Sequence, residues 1–244
     1  MADVSLHKLY ENPATTLSSG TGRAQRQAAM LAEVARAIGR PLVAVDIGCG
    51  DGSCTQVALS VCGSIPGSPV RIVGMDWSQI ALKMAKDRGI PVVRASADGG
   101  GLPLPDSSVD VVIMSEFIEH LVDPDGALDE AWRVLRPGGT LLLSTPNLAA
   151  WYNRILLAIG IQPLFTEVSL RGIYGRPGNE VVGHLRVFTR RALIGLLGSI
   201  GFADIQIKGG PYHDVPDPFK PLDRLLCHVP SMASSLLASA QKPA

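Results

Sequence analysis

The stretch from Val43 to Ser53, Val-Ala-Val-Asp-Ile-Gly-Cys-Gly-Asp-Gly-Ser, constrains the fold more than any other part of this chain. It begins inside an apolar run from Leu42 to Ile47, which is typical of a parallel strand covered on both faces. Gly48, Gly50 and Gly52 then allow backbone angles and close approaches that a Cβ would block. The pattern predicts a buried strand that leads into a nucleotide-binding turn of an α/β fold.

The spacing of this turn and its two acids indicate the kind of ligand. The glycines follow G-x-G-x-G, which differs from the G-x-G-x-x-G that seats a pyrophosphate at the start of a helix. Asp46 at the strand end and Asp51 in the turn would repel a diphosphate. Both acids therefore favour a ligand that carries a cation.

Length and composition predict one sizeable α/β domain with an elaboration. The chain has 244 residues, of which 46% are hydrophobic and 18% are charged. Residues 1–150 hold 12 Lys and Arg against 16 Asp and Glu, whereas residues 151–244 hold 10 against 6. The mildly basic second part could face an anionic substrate or surface, although a solvated face is the simpler explanation. No basic run indicates nucleic-acid binding.

Cysteine spacing and hydrophobic runs bear on metal content and location. Cys49, Cys54, Cys62 and Cys227 show no paired C-x-x-C spacing, so neither a zinc site nor a disulfide framework is expected. The first residues lack the pattern of a signal peptide, and no apolar stretch approaches the roughly 20 residues that span a bilayer. We expect a soluble, cytoplasmic protein with reduced thiols and no metal.

A further acid follows the next predicted strand, Val70 to Met75. Asp76 comes 26 residues after Gly50, close to the distance at which a second-strand acid meets a ribose in doubly wound folds. A carboxylate there can accept hydrogen bonds from both ribose hydroxyls, and it is also expected to cap the next helix. Trp77 and Ile80 are predicted to sandwich an adenine.

Hydrophobic periodicity predicts the other elements. The predicted helices are Gln25 to Ile38, Cys54 to Cys62 after an N-cap at Ser53, Gln79 to Arg88, Pro124 to Leu135, Trp151 to Gly160, and Arg190 to Ser199 after an N-cap at Thr189. The other predicted strands are Ile90 to Ala95, Val109 to Met114, Thr140 to Thr145, Phe202 to Lys208, and Ser235 to Gln241, which could equally be a helix. A turn is predicted over residues 136–139, Arg-Pro-Gly-Gly.

Several motifs in the same order carry a resemblance to a known family. After the glycine loop come Glu119-His120-Leu121, the segment Trp132 to Asn147, and His-Leu-Arg-Val-Phe-Thr from His184. Over residues 42–147 the chain resembles the class I S-adenosylmethionine-dependent methyltransferases. The resemblance is to the ubiquinone-biosynthesis O-methyltransferases and the broader methyltransferase type 11 group.

This resemblance implies a fold, a cofactor and a set of binding residues. The implied fold is a Rossmann-like, doubly wound, mostly parallel sheet of seven strands in the order 3-2-1-4-5-7-6, with helices on both faces. The cofactor would be S-adenosylmethionine and the product S-adenosylhomocysteine. Asp98 would lie near the adenine amino group, and Ser115 and Glu116 near the sulfonium. The predicted cofactor-binding residues are Asp46, Gly48, Cys49, Gly50, Asp51, Asp76, Trp77, Ile80, Asp98, Gly99, Ser115 and Glu116.

The expected organisation is one methyltransferase domain over residues 1–244. Its parts are an N-terminal cover segment and helix (1–40), the cofactor-binding core (41–147), a substrate-covering insertion after the fifth strand (148–188) and the C-terminal part of the sheet (189–244). In similar enzymes an N-terminal aromatic or arginine closes over the cofactor. Tyr10 and Arg23 are the candidates, although surface positions are the simpler explanation.

The chemistry indicates where a base would be needed. Methyl transfer from a sulfonium is an in-line displacement, so the protein mainly positions donor and acceptor. A hydroxyl acceptor also needs a group that takes its proton, and histidine suits this role. His120 and His184 are the candidates, with Glu116 and Tyr174 as weaker ones; a packing or anchoring role is the alternative for each histidine.

The predicted function is methyl transfer to a small-molecule or carrier-linked metabolite, at oxygen or nitrogen. The alternative is a non-catalytic regulatory or partner subunit that binds a nucleoside cofactor on the same fold, because fold does not fix function. A nicotinamide-dependent oxidoreductase is disfavoured by the glycine spacing and by Asp51. The oligomeric state, monomer or homodimer, is left open.

Overall fold

A computed structural model describes residues 21–99, 101–178, 181–211 and 215–244 of the chain. Seven strands form one sheet within these residues. They are β1 (Leu42–Ile47), β2 (Val70–Asp76), β3 (Val92–Arg94), β4 (Val109–Ser115), β5 (Leu135–Pro146), β6 (Ala203–Gly210) and β7 (Ser235–Gln241). Their order is β3-β2-β1-β4-β5-β7-β6, which confirms the predicted topology.

Helices precede, connect and follow these strands. The α-helices are α1 (Thr21–Ile38), α2 (Ser53–Cys62), α3 (Gln79–Asp87), α4 (Pro124–Val134), α5 (Trp151–Ala158), α6 (Arg190–Ile200) and α7 (Lys220–Leu226). Two short 3₁₀ helices cover Ile118–His120 and Asp217–Phe219. None of the described helices is both long and apolar enough to cross a membrane.

Successive apolar side chains of the central strands point to opposite faces of the sheet, which explains why helices cover both faces. In β4, Val111 and Ile113 belong to the cluster that contains the apolar face of α1, whereas Val112 and Met114 belong to the cluster that contains α4 and α6. Successive side chains of a strand point to opposite faces, so a continuous apolar run needs helices on both sides. The continuous run in β1 has the same cause.

Parallel pairing brings the ends of the central strands to one edge. β1 pairs in parallel with both β2 and β4, and β4 pairs in parallel with β5. β7 is antiparallel to β5 and β6, which confirms the predicted strand from Ser235 to Gln241. The loops after β1, β2 and β4 therefore meet at the carboxyl edge of the sheet, where open α/β folds bind ligands.

Three local predictions are wrong. Ser53 is the first residue of α2, and the cap position belongs to Gly52 with φ 76°. Ser78, not Asp76, caps α3, because its side chain accepts from the amide of Ala81. The turn predicted at residues 136–139 lies within β5, whose pairing with β4 is irregular at its start.

The capping prediction for α6 holds, and the structure shows a second side-chain cap at the start of α4. Thr189 accepts from the amide of Ala192 at the start of α6, at 3.2 Å. Asp123 caps α4 by accepting from Gly126 at 3.0 Å, and Pro124 occupies the first turn, where its missing N–H costs nothing.

Candidate cofactor and active site

The glycine loop after β1 is tied to the end of β2. The amides of Gly48 and Cys49 donate to the carbonyl of Met75 at 2.8 and 3.1 Å. Gly48 has φ 74°, and a Cβ there would overlap the ring of Phe117, which follows β4. The glycine is therefore required both by its backbone angle and by the close packing of the β4 loop.

Asp46, one residue before the end of β1, is buried with 2% of its surface exposed. Its Oδ2 accepts from the Thr55 hydroxyl at 2.5 Å, while its Oδ1 has no hydrogen-bond partner among the described residues. Burial raises the pKa of Asp46 to about 7, against the hydrogen bond from Thr55. A buried carboxylate oxygen without a donor suits the ammonium group of an amino-acid ligand.

Asp76 joins the loop after β1 to the turn after β2. One carboxylate oxygen accepts from the amide of Gly50 at 3.0 Å, and the other accepts from the amide of Ser78 at 2.8 Å. Burial raises the pKa of Asp76. Each oxygen keeps a further lone pair, so the geometry agrees with the predicted acceptance of ribose hydroxyl hydrogens.

Asp51 does not offer the free negative charge that the sequence argument gave it. Its carboxylate accepts from the hydroxyl of Ser53 at 2.8 Å and pairs with the guanidinium of Arg88 at 2.9 Å. Arg88 therefore neutralises Asp51 within the loop. The neighbouring thiol of Cys49 is buried, and this burial together with the charge of Asp46 raises its pKa, so the cysteine is a neutral packing residue.

The carboxylate of Asp98, in the loop after β3, holds the segment that leads into α4. It accepts from the amides of Val122 and Asp123 at 3.1 and 2.9 Å. Its predicted place beside the adenine stays a prediction. The same is true of Trp77, of Gly99 and of Ile80, which is 41% exposed.

A residue that the sequence argument missed lies at the end of β4. Gln27 of α1 is buried, and its Oε1 accepts from the hydroxyl of Ser115. Its Nε2 is buried with no hydrogen-bond partner among the described residues, so it has a donor available to a ligand. A glutamine four residues before Leu31, on the apolar face of an amphipathic helix, is the sequence signal that could have identified it.

Glu116 begins the loop after β4 in an unusual backbone conformation. Its φ is 48°, a region that residues other than glycine seldom occupy. The amide of Glu116 donates to the carbonyl of Ser144 in β5 at 2.9 Å, which helps to hold this conformation. Strain of this kind concentrates at functional sites. Tyr174, the other weak candidate for a base, is 58% exposed.

The two predicted catalytic histidines lie together, although 64 residues separate them. The ring centroids of His120 and His184 are 4.8 Å apart. The backbone carbonyl of Glu119 accepts from the amides of Leu185 and Arg186 at 2.8 and 3.0 Å, which fixes the insertion against the loop after β4.

Backbone carbonyls set the tautomer of both rings. Nδ1 of His120 lies 3.1 Å from the carbonyl of Gly183, and Nδ1 of His184 lies 3.1 Å from that of Phe165. A carbonyl oxygen only accepts, so each Nδ1 carries the hydrogen and each Nε2 keeps a lone pair. Burial, and then the neighbouring His184, lower the pKa of His120 to about 4. His120 is therefore neutral near pH 7.

Glu119 completes this cluster. One ligand atom from each of Glu119, His120 and His184 lies within 4.8 Å of the others, and Glu119 is fully buried. Two imidazoles and a carboxylate are a set that a divalent cation accepts, and carbonyls that hold the other ring nitrogens are usual around metal-binding histidines. The expectation of no metal, which rested on cysteine spacing, stays a prediction.

The strand order, the glycine loop after β1 and Asp76 after β2 define a class I S-adenosylmethionine-dependent methyltransferase fold. A family model described as "Methyltransferase domain" matches residues 45–143. Over this range the chain is similar to the S-adenosylmethionine-dependent methyltransferases, a class whose cofactor is S-adenosylmethionine.

Individual relatives agree with this class. The chain is 37% identical over 112 residues to a protein named as a probable S-adenosylmethionine-dependent methyltransferase of Mycolicibacterium smegmatis, covering 46% of this chain and 40% of the relative. It is 30% identical over 176 residues to the ubiquinone/menaquinone biosynthesis C-methyltransferase of Geobacter sulfurreducens, covering 66% of this chain and 64% of the relative.

A solved structure shows the same fold. It is a methyltransferase of Thermotoga maritima with a TM-score of 0.58 and 19% identity, and the match covers 90% of this chain and 91% of that one. The chain spans between 30% and 40% of the length of three curated relatives that it matches.

Proposed function

We propose that the protein transfers the methyl group of S-adenosylmethionine to a hydroxyl oxygen of a small-molecule or carrier-linked metabolite. The observation that carries cofactor binding is the buried Oδ1 of Asp46, which has no hydrogen-bond partner among the described residues and lies at the carboxyl edge of the sheet. With a pKa of about 7, Asp46 is partly protonated near neutral pH. The positive charge of an approaching ammonium group favours its ionised form.

The chain's own residues divide the work of binding. Asp46 receives the ammonium group of the cofactor, and the Nε2 of Gln27 donates to its carboxylate. Asp76 accepts the ribose hydroxyl hydrogens while it holds the amide of Gly50. Trp77 and Ile80 flank the adenine. When bound, the cofactor supplies an electrophilic methyl group, and the protein's task is to present that group in line with the acceptor.

The histidine pair supports oxygen as the acceptor atom. His120 is neutral near pH 7, and because Nδ1 of each ring is held by a backbone carbonyl, the lone pair of each neutral ring is on Nε2. Such a lone pair can accept the proton of the acceptor hydroxyl while the bond between its oxygen and the methyl carbon forms. Residues 148–188, which carry His184, form the cover over the acceptor in this proposal. Because one relative is named as a C-methyltransferase, a carbon acceptor is the main alternative to an oxygen acceptor.

Calorimetric titration of the full chain tests cofactor binding first. We expect saturable binding of S-adenosylmethionine and S-adenosylhomocysteine and none of NAD. Asp76→Ala should weaken cofactor binding by more than about tenfold, about 1.4 kcal/mol. Asp129→Ala, an exposed carboxylate on α4, is the matched control and should bind normally. Binding of NAD in preference to S-adenosylmethionine would contradict the proposal.

Substitution of the histidines tests their role. Asparagine at either position keeps a donor near the place of Nδ1 and removes the Nε2 lone pair, whereas alanine removes both. If one histidine is the base, its asparagine and alanine variants both lose about 100-fold in turnover with unchanged cofactor affinity. The readout is S-adenosylhomocysteine released with a panel of phenols, carboxylic acids and amines, with and without EDTA. If the asparagine variant keeps the turnover that the alanine variant loses, the histidine has an anchoring role. If EDTA abolishes the turnover of the wild-type chain, the histidines act through a bound metal.

A further inference from the structure

Exposed apolar side chains concentrate on two segments of the C-terminal half of the chain. Of the thirteen large hydrophobic side chains that are exposed among the described residues, seven lie within residues 155–159 and 219–229. We call them the α5–α7 patch: Ile155, Leu157, Ile159, Phe219, Leu222, Leu225 and Val229. Scattered exposed hydrophobic residues are ordinary in soluble proteins, but a group of this size marks an interaction surface.

Side-chain contacts join the two segments into one unit. Trp151 of α5 donates from Nε1 to Asp223 of α7 at 3.0 Å, and its ring lies 6.1 Å from that of Phe219. Arg154 donates to the carbonyl of Ser231 at 3.1 Å. Since these contacts bind α5 to α7 and the segment after it, the two sets of exposed side chains lie on neighbouring elements.

Positive charge accompanies the patch. Arg154 on α5 and Arg224 on α7 are exposed, and neither takes part in an ion pair with another described residue. The acids of the same segments do not offset them, because Asp223 is buried and Asp217 is paired with Lys220 at 2.6 Å. A symmetric second copy would bring these arginines towards each other, which disfavours a dimer through the patch.

We propose that the α5–α7 patch docks on the surface of an anionic lipid bilayer. Apolar side chains that enter the boundary between headgroups and acyl chains, with arginines at the level of the headgroups, give interfacial binding without a membrane-spanning helix. α5 follows the carboxyl end of β5, so docking brings the edge of the sheet with the histidine pair towards the membrane. Docking itself does not require methyl transfer; delivery of a lipophilic acceptor to the site rests on the proposed function.

Vesicle flotation with the full chain tests docking without any acceptor. The probes are vesicles of equal phosphatidylglycerol and phosphatidylcholine, and vesicles of phosphatidylcholine alone. We expect at least tenfold tighter binding to the anionic vesicles, weakened by salt. The double variant Ile159→Ser, Leu225→Ser should lose at least tenfold, and Arg224→Gln about fivefold, about 1 kcal/mol for one charge. Val122→Ser, which removes an apolar side chain that is 59% exposed outside the patch, is the matched control.

Circular dichroism and cofactor titration check that the variants fold and keep their cofactor site. Failure of the wild-type chain to float with anionic vesicles overturns the proposal, as does equal loss in Val122→Ser. A shift from dimer to monomer in the double variant, with no vesicle binding by the wild type, would assign the patch to a second copy instead. Failure of the proposed function shows separately, as absent cofactor binding in a chain that still binds vesicles.

Discussion

We expect cofactor binding to lower the pKa of Asp46. With a pKa of about 7 in the free protein, the group is increasingly protonated as the pH falls below 7, and binding of an ammonium group must then release that proton. The dissociation constant for S-adenosylmethionine should rise about tenfold per pH unit below pH 7. Calorimetry between pH 5.5 and about 7.5 measures this dependence.

The matched variants separate this effect from general electrostatics. Asp46→Asn should weaken binding at pH 7.5 by about tenfold or more and remove the pH dependence, whereas Asp129→Asn should change neither. Because the folded pKa lies above the unfolded value, the contribution of Asp46 to the stability of the free native chain is full below about pH 4, falls as the pH rises from about 4 to 7, and is lost above about pH 7. A wild-type affinity that stays constant from pH 5.5 to about 7.5 would remove Asp46 from the cofactor site.

At the level of elements, Asp98 links the loop after β3 to the segment between the 3₁₀ helix at Ile118–His120 and α4. Its carboxylate accepts from the amides of Val122 and Asp123, the residues just after this 3₁₀ helix. Asp98→Ala should lower the free energy of unfolding by about 1 kcal/mol, because two backbone donors lose a charged acceptor. Urea denaturation measures this, and Asp129→Ala is the control for loss of a surface carboxylate. If Asp98→Ala leaves the stability unchanged and weakens cofactor binding, Asp98 acts on the adenine and does not stabilise this segment.

Across the whole molecule, Lys242 fastens the end of the chain to the sheet. It is buried, and its ammonium donates to the carbonyls of Trp132 and Leu135, both at 2.8 Å, while lying 4.0 Å from the Trp132 ring centroid. Burial lowers the pKa of Lys242. These contacts join the residue after β7 to the junction of α4 and β5, so they couple the antiparallel edge to the parallel part of the sheet.

Lys242→Met should therefore destabilise the domain as a unit. The loss expected is about 2 kcal/mol, because two carbonyls are left without a donor while the packing of the aliphatic stem is kept. Lys208→Met is the matched control, since the Lys208 ammonium makes only a surface ion pair with Glu33 at 3.0 Å, and it should change stability by less than about 0.5 kcal/mol. The midpoint in urea should move without a change of slope. If Lys242→Met is as stable as the control, water must donate to the two carbonyls in place of the ammonium group.

The sequence by itself determined the element order and the position of the glycine loop, because these depend on local signals: a continuous apolar run in β1, an amphipathic α1, and a cap such as Thr189. The strand order followed from the family resemblance of the motifs, and the structure confirms it. The antiparallel β7 was open to a helical interpretation from sequence, and pairing with β5 and β6 decided it.

Only the tertiary structure decided which polar groups are available at the site. Arg88 neutralises Asp51 across 37 residues of sequence, Gln27 meets Ser115 across 88, and the two histidines meet through the insertion. A residue's type states what it can donate or accept, but the partners that satisfy it come from distant elements. The sequence therefore named both Asp46 and Asp51 as charges for the ligand, and folding left only Asp46 with a carboxylate oxygen that has no partner among the described residues.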